Sequence, residues 1–119
     1  MDNRTIIQEV IDAFDANNVE GILQHLTDDV TWTMVGDRVI STKEGMRAFL
    51  VEGADIQMVS STKDNFIIDG DRAAVNGEVA CKNKNNGDVY EMFYSDLYEL
   101  KNGKINKMTS YIIDKKKKG

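Results

Sequence analysis

Between residues 5 and 16 the apolar side chains Ile7, Val10, Ile11 and Phe14 recur at i, i+3, i+4 and i+7, the spacing that gathers them on one face of an amphipathic helix. Asn17-Asn18 ends that pattern, and Asn18 is suited to cap a second helix carrying Val19, Ile22, Leu23 and Leu26 on its buried side. Thr27-Asp28-Asp29 stops the second helix, after which the pattern switches to alternation: Val30, Trp32 and Met34 against Thr31, Thr33 and Val35. That is the signature of a half-buried strand, with Trp32 and Met34 facing inward. Beyond a turn at Gly36-Asp37-Arg38, Ser41 and Glu44 stand in capping-box spacing and open a third helix. Met46, Phe49 and Leu50 form its apolar stripe, and it ends near Gly53.

From about Asp55 onward every periodic segment is a strand: IQMVSS, TKDNFIID, RAAVNGEVACK, VYEMFYSDLYEL and INKMTSYII. Asp69-Gly70, Asn86-Gly87 and Asn102-Gly103 separate the last four, and such dipeptides readily take the positive φ angles of tight hairpins. Those four strands are predicted to form an antiparallel meander. Helices concentrated early and strands late, without regular alternation, predict an α+β fold whose sheet is covered on one face by three N-terminal helices. The chain has no proline, no internal repeat and no linker. Residues 1–114 therefore read as one domain, followed at 115–119 by a lysine-rich tail expected to be solvated and disordered.

The strand from Val89 carries the most informative row. Tyr90, Met92, Tyr94, Asp96, Tyr98 and Leu100 share one face, and Asp96 is the only charge in it. Either that carboxyl lies in an apolar pocket, where desolvation raises its pKa and suits it to proton transfer, or it sits on a strand edge and does nothing. Tyr94 and Tyr98, two residues to either side, can share a ligand with it or be plain core tyrosines. Trp32, Met34, Met46 and Phe49 would supply an apolar wall, with Phe14, Met108 and Ile112 completing the candidate ligand-binding set; the competing reading of such residues is simply core. The opposite face exposes Phe93 and Leu97 among Glu91, Ser95 and Glu99, an apolar patch that predicts a homodimer through the outer sheet face.

Composition narrows the functional classes. With 119 residues, 41% hydrophobic and 29% charged, the chain can build a core and one modest cavity. No apolar run approaches membrane-spanning length, and the start MDNRTIIQEV has neither the basic beginning nor the apolar centre of a signal peptide, so a cytoplasmic protein without membrane association is expected. The formal net charge is −5 even though four of the fifteen cations are Lys115 to Lys118, which argues against a nucleic-acid-binding surface. The single Cys81 leaves no internal disulfide and reads as a structural thiol in a strand. The single His25, placed on the second helix, leaves no multi-histidine metal site. Asp114 reads as a surface carboxylate. Neither a metal nor an organic cofactor is implied.

Two phrases, FDANNVEGILQHLTDDVTW and DLYELKNGKINKMTSYIID, resemble the SnoaL-like and ketosteroid isomerase-like branch of the nuclear transport factor 2-like superfamily. With the hairpins between them they span nearly the whole chain. The resemblance implies a strongly curved, mostly antiparallel sheet wrapped around the helices as a cone, with a ligand cavity inside. It also places Asp96 at the position of the oxyanion-hole aspartic acid of ketosteroid isomerases. That family's tyrosine position falls on Val10 and its general base at about Met34, neither of which holds or moves a proton. The arginine and aspartate set of the epoxide-hydrolase branch is not evident, since Arg38, Arg47 and Arg72 fall in turns or on a helix's polar side. The implied function is binding of a small apolar molecule by a SnoaL-like protein. Within it, cofactor-free isomerase, cyclase or hydrolase-type chemistry at Asp96 stands beside a non-catalytic dimerisation or protein-association module with a filled cavity.

Overall fold

Asp2 starts the first helix by accepting a 2.8 Å hydrogen bond from the Thr5 backbone N–H, which satisfies one donor left open at a helix start. The computed structural model describes residues 1–115, and in it helix α1 runs Asn3–Asp15 with Ile6, Ile7, Val10, Ile11 and Ala13 buried. Asn18 caps α2 (Val19–Leu23) through a 3.0 Å bond from Gly21 N–H. That helix is shorter than its apolar spacing predicts. Leu26 instead begins strand β1 (Leu26–Met34), opposite Ile105. The reason lies in the sheet: Ile105 N–H donates to the His25 carbonyl at 2.7 Å, so pairing captures the chain one residue before Leu26. His25 consequently sits in a turn and not on a helix.

A second difference follows directly. Arg38–Ser41 is strand β2, paired antiparallel with β1 at Trp32↔Ile40, where the sequence suggested only a turn leading to a helix. With Ser41 committed to the sheet, the cap of helix α3 (Lys43–Glu52) moves to Thr42, whose Oγ1 accepts from Gly45 N–H at 3.1 Å. Thr42 adopts φ 71° to do so, a left-handed conformation disfavoured for a β-branched residue.

Strands β3 (Ile56–Ser61), β4 (Asn65–Asp69), β5 (Arg72–Asn83), β6 (Val89–Lys101) and β7 (Lys104–Asp114) complete the chain. The sheet order is β2-β1-β7-β6-β5-β3, with β4 also on β5. Strands β4 to β7 form the predicted meander, and β1 pairs parallel with β7 while all other pairs are antiparallel. The β6–β7 turn is made by Asn102 at φ 53° and Gly103 at φ 78°. The fold is thus α+β, with three helices against a large, curved, unclosed and mostly antiparallel sheet.

Strands β3 and β4 share one edge of β5, and the chain changes between them where Thr62 crosses Gly77. A Cβ at Gly77 would stand 2.2 Å from the Thr62 carbonyl oxygen, so only glycine permits this approach. The core lies at the other end of the sheet, where Ile7, Val10, Leu26, Met46 and Ile105 are wholly buried. Among the described residues no helix is long and apolar enough to cross a membrane. The lysine-rich end lies outside the described residues except for Lys115, which is tied down. Its N–H donates to the Glu91 carbonyl at 3.0 Å, and its ammonium pairs with Glu78 and lies 5.0 Å from the Phe93 ring centre.

Candidate functional site

The inner faces of β5, β6 and β7, the last turn of α1 and one side of α3 enclose a cavity of about 370 Å³. Side chains therefore do not fill the cone. Val75, Tyr98 and Met108 form its buried floor, while Asn17, Gly53, Ile56 and Ile112 are exposed and mark its mouth. One wall is a stack of rings: Phe14 and Trp32 meet edge-to-face with centroids 5.5 Å apart, and Trp32 and Phe49 likewise at 5.8 Å. Such contacts fix the rings beyond what area burial alone would do.

Asp96 projects into this apolar lining because β6 alternates as its sequence predicts. Its register partner on β7 is Ser110 and on β5 Val75. Burial pushes the Asp96 carboxyl up to about 6, and the Ser110 hydroxyl pulls partly in the other direction. Ser110 Oγ also accepts a 2.8 Å hydrogen bond from the Trp32 indole N–H. Indole can only donate, so Ser110's own proton is free for the carboxyl. Trp32, Ser110 and Asp96 thus form one polar thread through an otherwise apolar wall.

The two tyrosines flanking Asp96 are both kept protonated. Tyr94 Oη donates to the Thr62 carbonyl at 2.5 Å, at the spot that Gly77 leaves open. Burial, then the negative charges of Asp96, Asp15 and Asp64, push its phenol up to about 12. Tyr98, 4% exposed, is raised well above the ordinary range, first by burial and then by Asp96. Cys81 also lines the cavity, and desolvation raises its thiol pKa. It is a weak nucleophile in that setting.

Of the predicted site residues, Phe14, Trp32, Phe49, Tyr94, Asp96, Tyr98, Met108 and Ile112 all line this one cavity. Met34 and Met46 do not. Met34 is half-buried and packs against the core, and Met46, one helical turn before Phe49, is wholly buried within it, so both methionines fill core and not cavity. Val10, at the resembled family's tyrosine position, is likewise wholly buried. The sequence reading missed Asp15, Ser61, Cys81 and Ser110. Asp15 follows Ile11 by four residues and so continues the buried stripe of α1, a signal that could have found it. Its Oδ2 accepts from the Ser61 hydroxyl at 3.1 Å and lies 3.6 Å from Lys63 Nζ.

His25 Nε2 lies 2.7 Å from Glu9 Oε2 without the alignment of a hydrogen bond, and it is remote from the lining. The arginines serve the surface. Arg47 pairs with Glu20 and Glu44, Arg72 approaches Glu99, and Arg38 stacks behind Phe49 at 5.7 Å. Among the described residues no three His, Cys, Asp or Glu side chains converge as a metal-binding group. The groups lining the cavity are therefore one buried carboxyl, one carboxylate near the rim, four hydroxyls (Ser61, Tyr94, Tyr98 and Ser110) and a large apolar surface.

The chain belongs to the SnoaL-like domain family, whose model matches residues 7–108. No curated protein matches the sequence. Among solved structures it is similar to an LEH-like epoxide hydrolase from M. tuberculosis, at TM-score 0.81 and 14% identity over 91% of this chain and 80% of that one. It is also similar to an NTF2-like protein of unknown function from Cytophaga hutchinsonii, at TM-score 0.72, 20% identity and 92% and 97% coverage of the two chains. A third is a ketosteroid isomerase-like protein from Erwinia carotovora atroseptica, at TM-score 0.71, 15% identity and 92% coverage of each chain. At these identities the likeness is one of fold.

Proposed function

We propose that this SnoaL-like protein binds a small apolar molecule bearing a carbonyl or similar acceptor, with Asp96 as the group that donates to, or exchanges a proton with, that acceptor. The observation that carries this reading is a carboxyl raised to about 6 inside an apolar cavity of about 370 Å³, a size within the range of small-molecule sites. In the protonated form Asp96 donates to a ligand carbonyl; ionised, it accepts from an acidic C–H or hydroxyl. Trp32, Phe49, Tyr94 and Met108 enclose the apolar remainder. Val10 and Met34 offer no partner tyrosine or second base, so the chemistry supported is single-carboxyl polarisation or proton exchange, of the isomerase or cyclase type, without a metal or organic cofactor.

The outer sheet face supports a second copy of the chain as partner. Phe93, Leu97, Tyr111 and Ile113 lie exposed on it, flanked by both charge signs in Glu78–Lys115 and Arg72–Glu99–Lys107. Exposed apolar residues flanked by both charge signs favour pairing of this face with its own two-fold copy.

Thermal shift with a panel of hydrophobic ketones and lactones tests the ligand reading. At least one should raise the melting temperature of the wild type by several degrees and leave Asp96→Leu, which is similar in shape but has no donor, unmoved at the same concentration. A panel without effect on the wild type, or acting equally on the variant, would remove Asp96 from the site.

A further inference from the structure

The cavity is electrically one-sided. Of its lining residues two are acidic, Asp15 and Asp96, and none is lysine, arginine or histidine. The two carboxylates face the cavity at different levels. Asp96 lies on β6 near the floor residue Tyr98, whereas Asp15 ends α1 beside the mouth residue Asn17. Two cations touch lining residues without lining the cavity themselves: Lys63 Nζ lies 3.6 Å from Asp15 Oδ2, and Arg38 lies 5.7 Å from the Phe49 ring centre. Both Lys63 and Ser61 engage the same oxygen, Oδ2 of Asp15. Among the described residues no hydrogen bond or ion pair is made by Oδ1. The Tyr94 and Tyr98 phenols share this surrounding: burial first, and then the charges of Asp96 and Asp15, raise their pKa. The lining also carries the rings of Phe14, Trp32, Phe49, Tyr94 and Tyr98, a residue class whose faces attract cations and not anions.

From this we infer that the ligand is a cationic amphiphile: an apolar body carrying a basic nitrogen, whose ammonium group is received by Asp15 near the mouth. This rests on the ligand-binding reading above and adds its charge class. An apolar carboxylate of the same shape would have to bring a negative charge beside two others in a poorly solvated space, and no lining group would pair with it. A neutral alcohol falls between the two. The protein's net charge of −5 acts in the same direction at long range by favouring approach of cations.

Calorimetric titration of the intact protein with three probes of one compact cage skeleton, adamantylamine, adamantanol and adamantanecarboxylate, at about pH 7.5 and low salt tests the inference. The amine should bind roughly tenfold more tightly than the alcohol, and the carboxylate more weakly than either. Asp15→Asn should bring amine and alcohol together while leaving the alcohol's affinity in place, which also reports that the cavity is intact. Lys63→Met removes the competing ammonium and should tighten the amine alone, a gain that misfolding does not produce. Equal binding of amine and carboxylate overturns the charge preference and leaves the ligand-binding reading standing. An amine preference that survives Asp15→Asn but is lost in Asp96→Asn overturns the assignment to Asp15. Binding of none of the three overturns the charge-class inference, while the ketone and lactone panel decides the ligand-binding reading separately.

Discussion

The two ends of the β6–β7 hairpin are built from the same kinds of residue and do opposite things. Toward the Asn102-Gly103 turn, Tyr98, Leu100, Ile105 and Met108 are all less than 9% exposed and pack on Ile7, Leu26 and Met46. Toward the open end, Met92, Tyr94, Asp96 and Ile112 continue the same inward row, yet the helices no longer meet them and a cavity remains. Helix placement makes the difference, since α1 ends at Asp15 and α3 at Glu52. Beyond those points the sheet curves on with nothing laid across it. The closed end carries the packed core; the open end gives up packing that an aliphatic core would have kept, and it holds a carboxyl whose pKa burial raises.

That contrast is most sharply broken at the closed end. Ile105→Ala leaves a cavity among wholly buried neighbours and should cost about 3–4 kcal/mol of unfolding free energy in a urea titration. A loss below about 1 kcal/mol would mean that the packed end is not where stability resides.

Replacing the carboxyl at the open end should act with the opposite sign. The folded pKa of Asp96, about 6, lies above the unfolded value of 3.8. Between those two values the folded state holds more proton than the unfolded state, so stability falls as pH rises through that window, and the full cost is present above it. Asp96→Asn should therefore gain roughly 2–3 kcal/mol near neutral pH, with the gain shrinking towards pH 4. A variant equally stable, or less stable, at neutral pH would show the carboxyl to be well solvated or well paired. At the mouth the effect should be smallest. Ile112, 51% exposed, should tolerate Ile112→Ala with a loss under about 1 kcal/mol, while ligand affinity falls several-fold in calorimetry if the residue closes over a bound molecule.

How much of this was legible in the sequence follows the same division. Short-range periods placed α1, α3 and the β4–β7 meander, and period two put Tyr94, Asp96 and Tyr98 together. Local signals failed where long-range pairing decides. Nothing near Leu26 announces that Ile105, far along the chain, will draw it into the sheet, and nothing in Arg38–Ser41 distinguishes a four-residue edge strand from a turn. Parallel pairing of β1 with β7 likewise has no local mark, and it is that pairing which brings Trp32 to Ser110. Asp15 was overlooked because a carboxylate in the last turn of a helix reads as a polar end, although its spacing from Ile11 places it on the buried side. Met34 and Met46 carry the right chemistry for a cavity wall, but whether an inward methionine lines a hollow or fills a core depends on which distant residues pack against it.

The claim on which the site rests is that Asp96 titrates from within an apolar hollow, and a carboxyl-carbon NMR titration of the selectively labelled protein measures it directly. The Asp96 signal should show a midpoint near 6, moving higher in Ser110→Ala as the hydroxyl that favours the charged form is lost. A midpoint near the ordinary aspartate value of 3.8, unchanged by Ser110→Ala, would place the carboxyl in water and contradict the account.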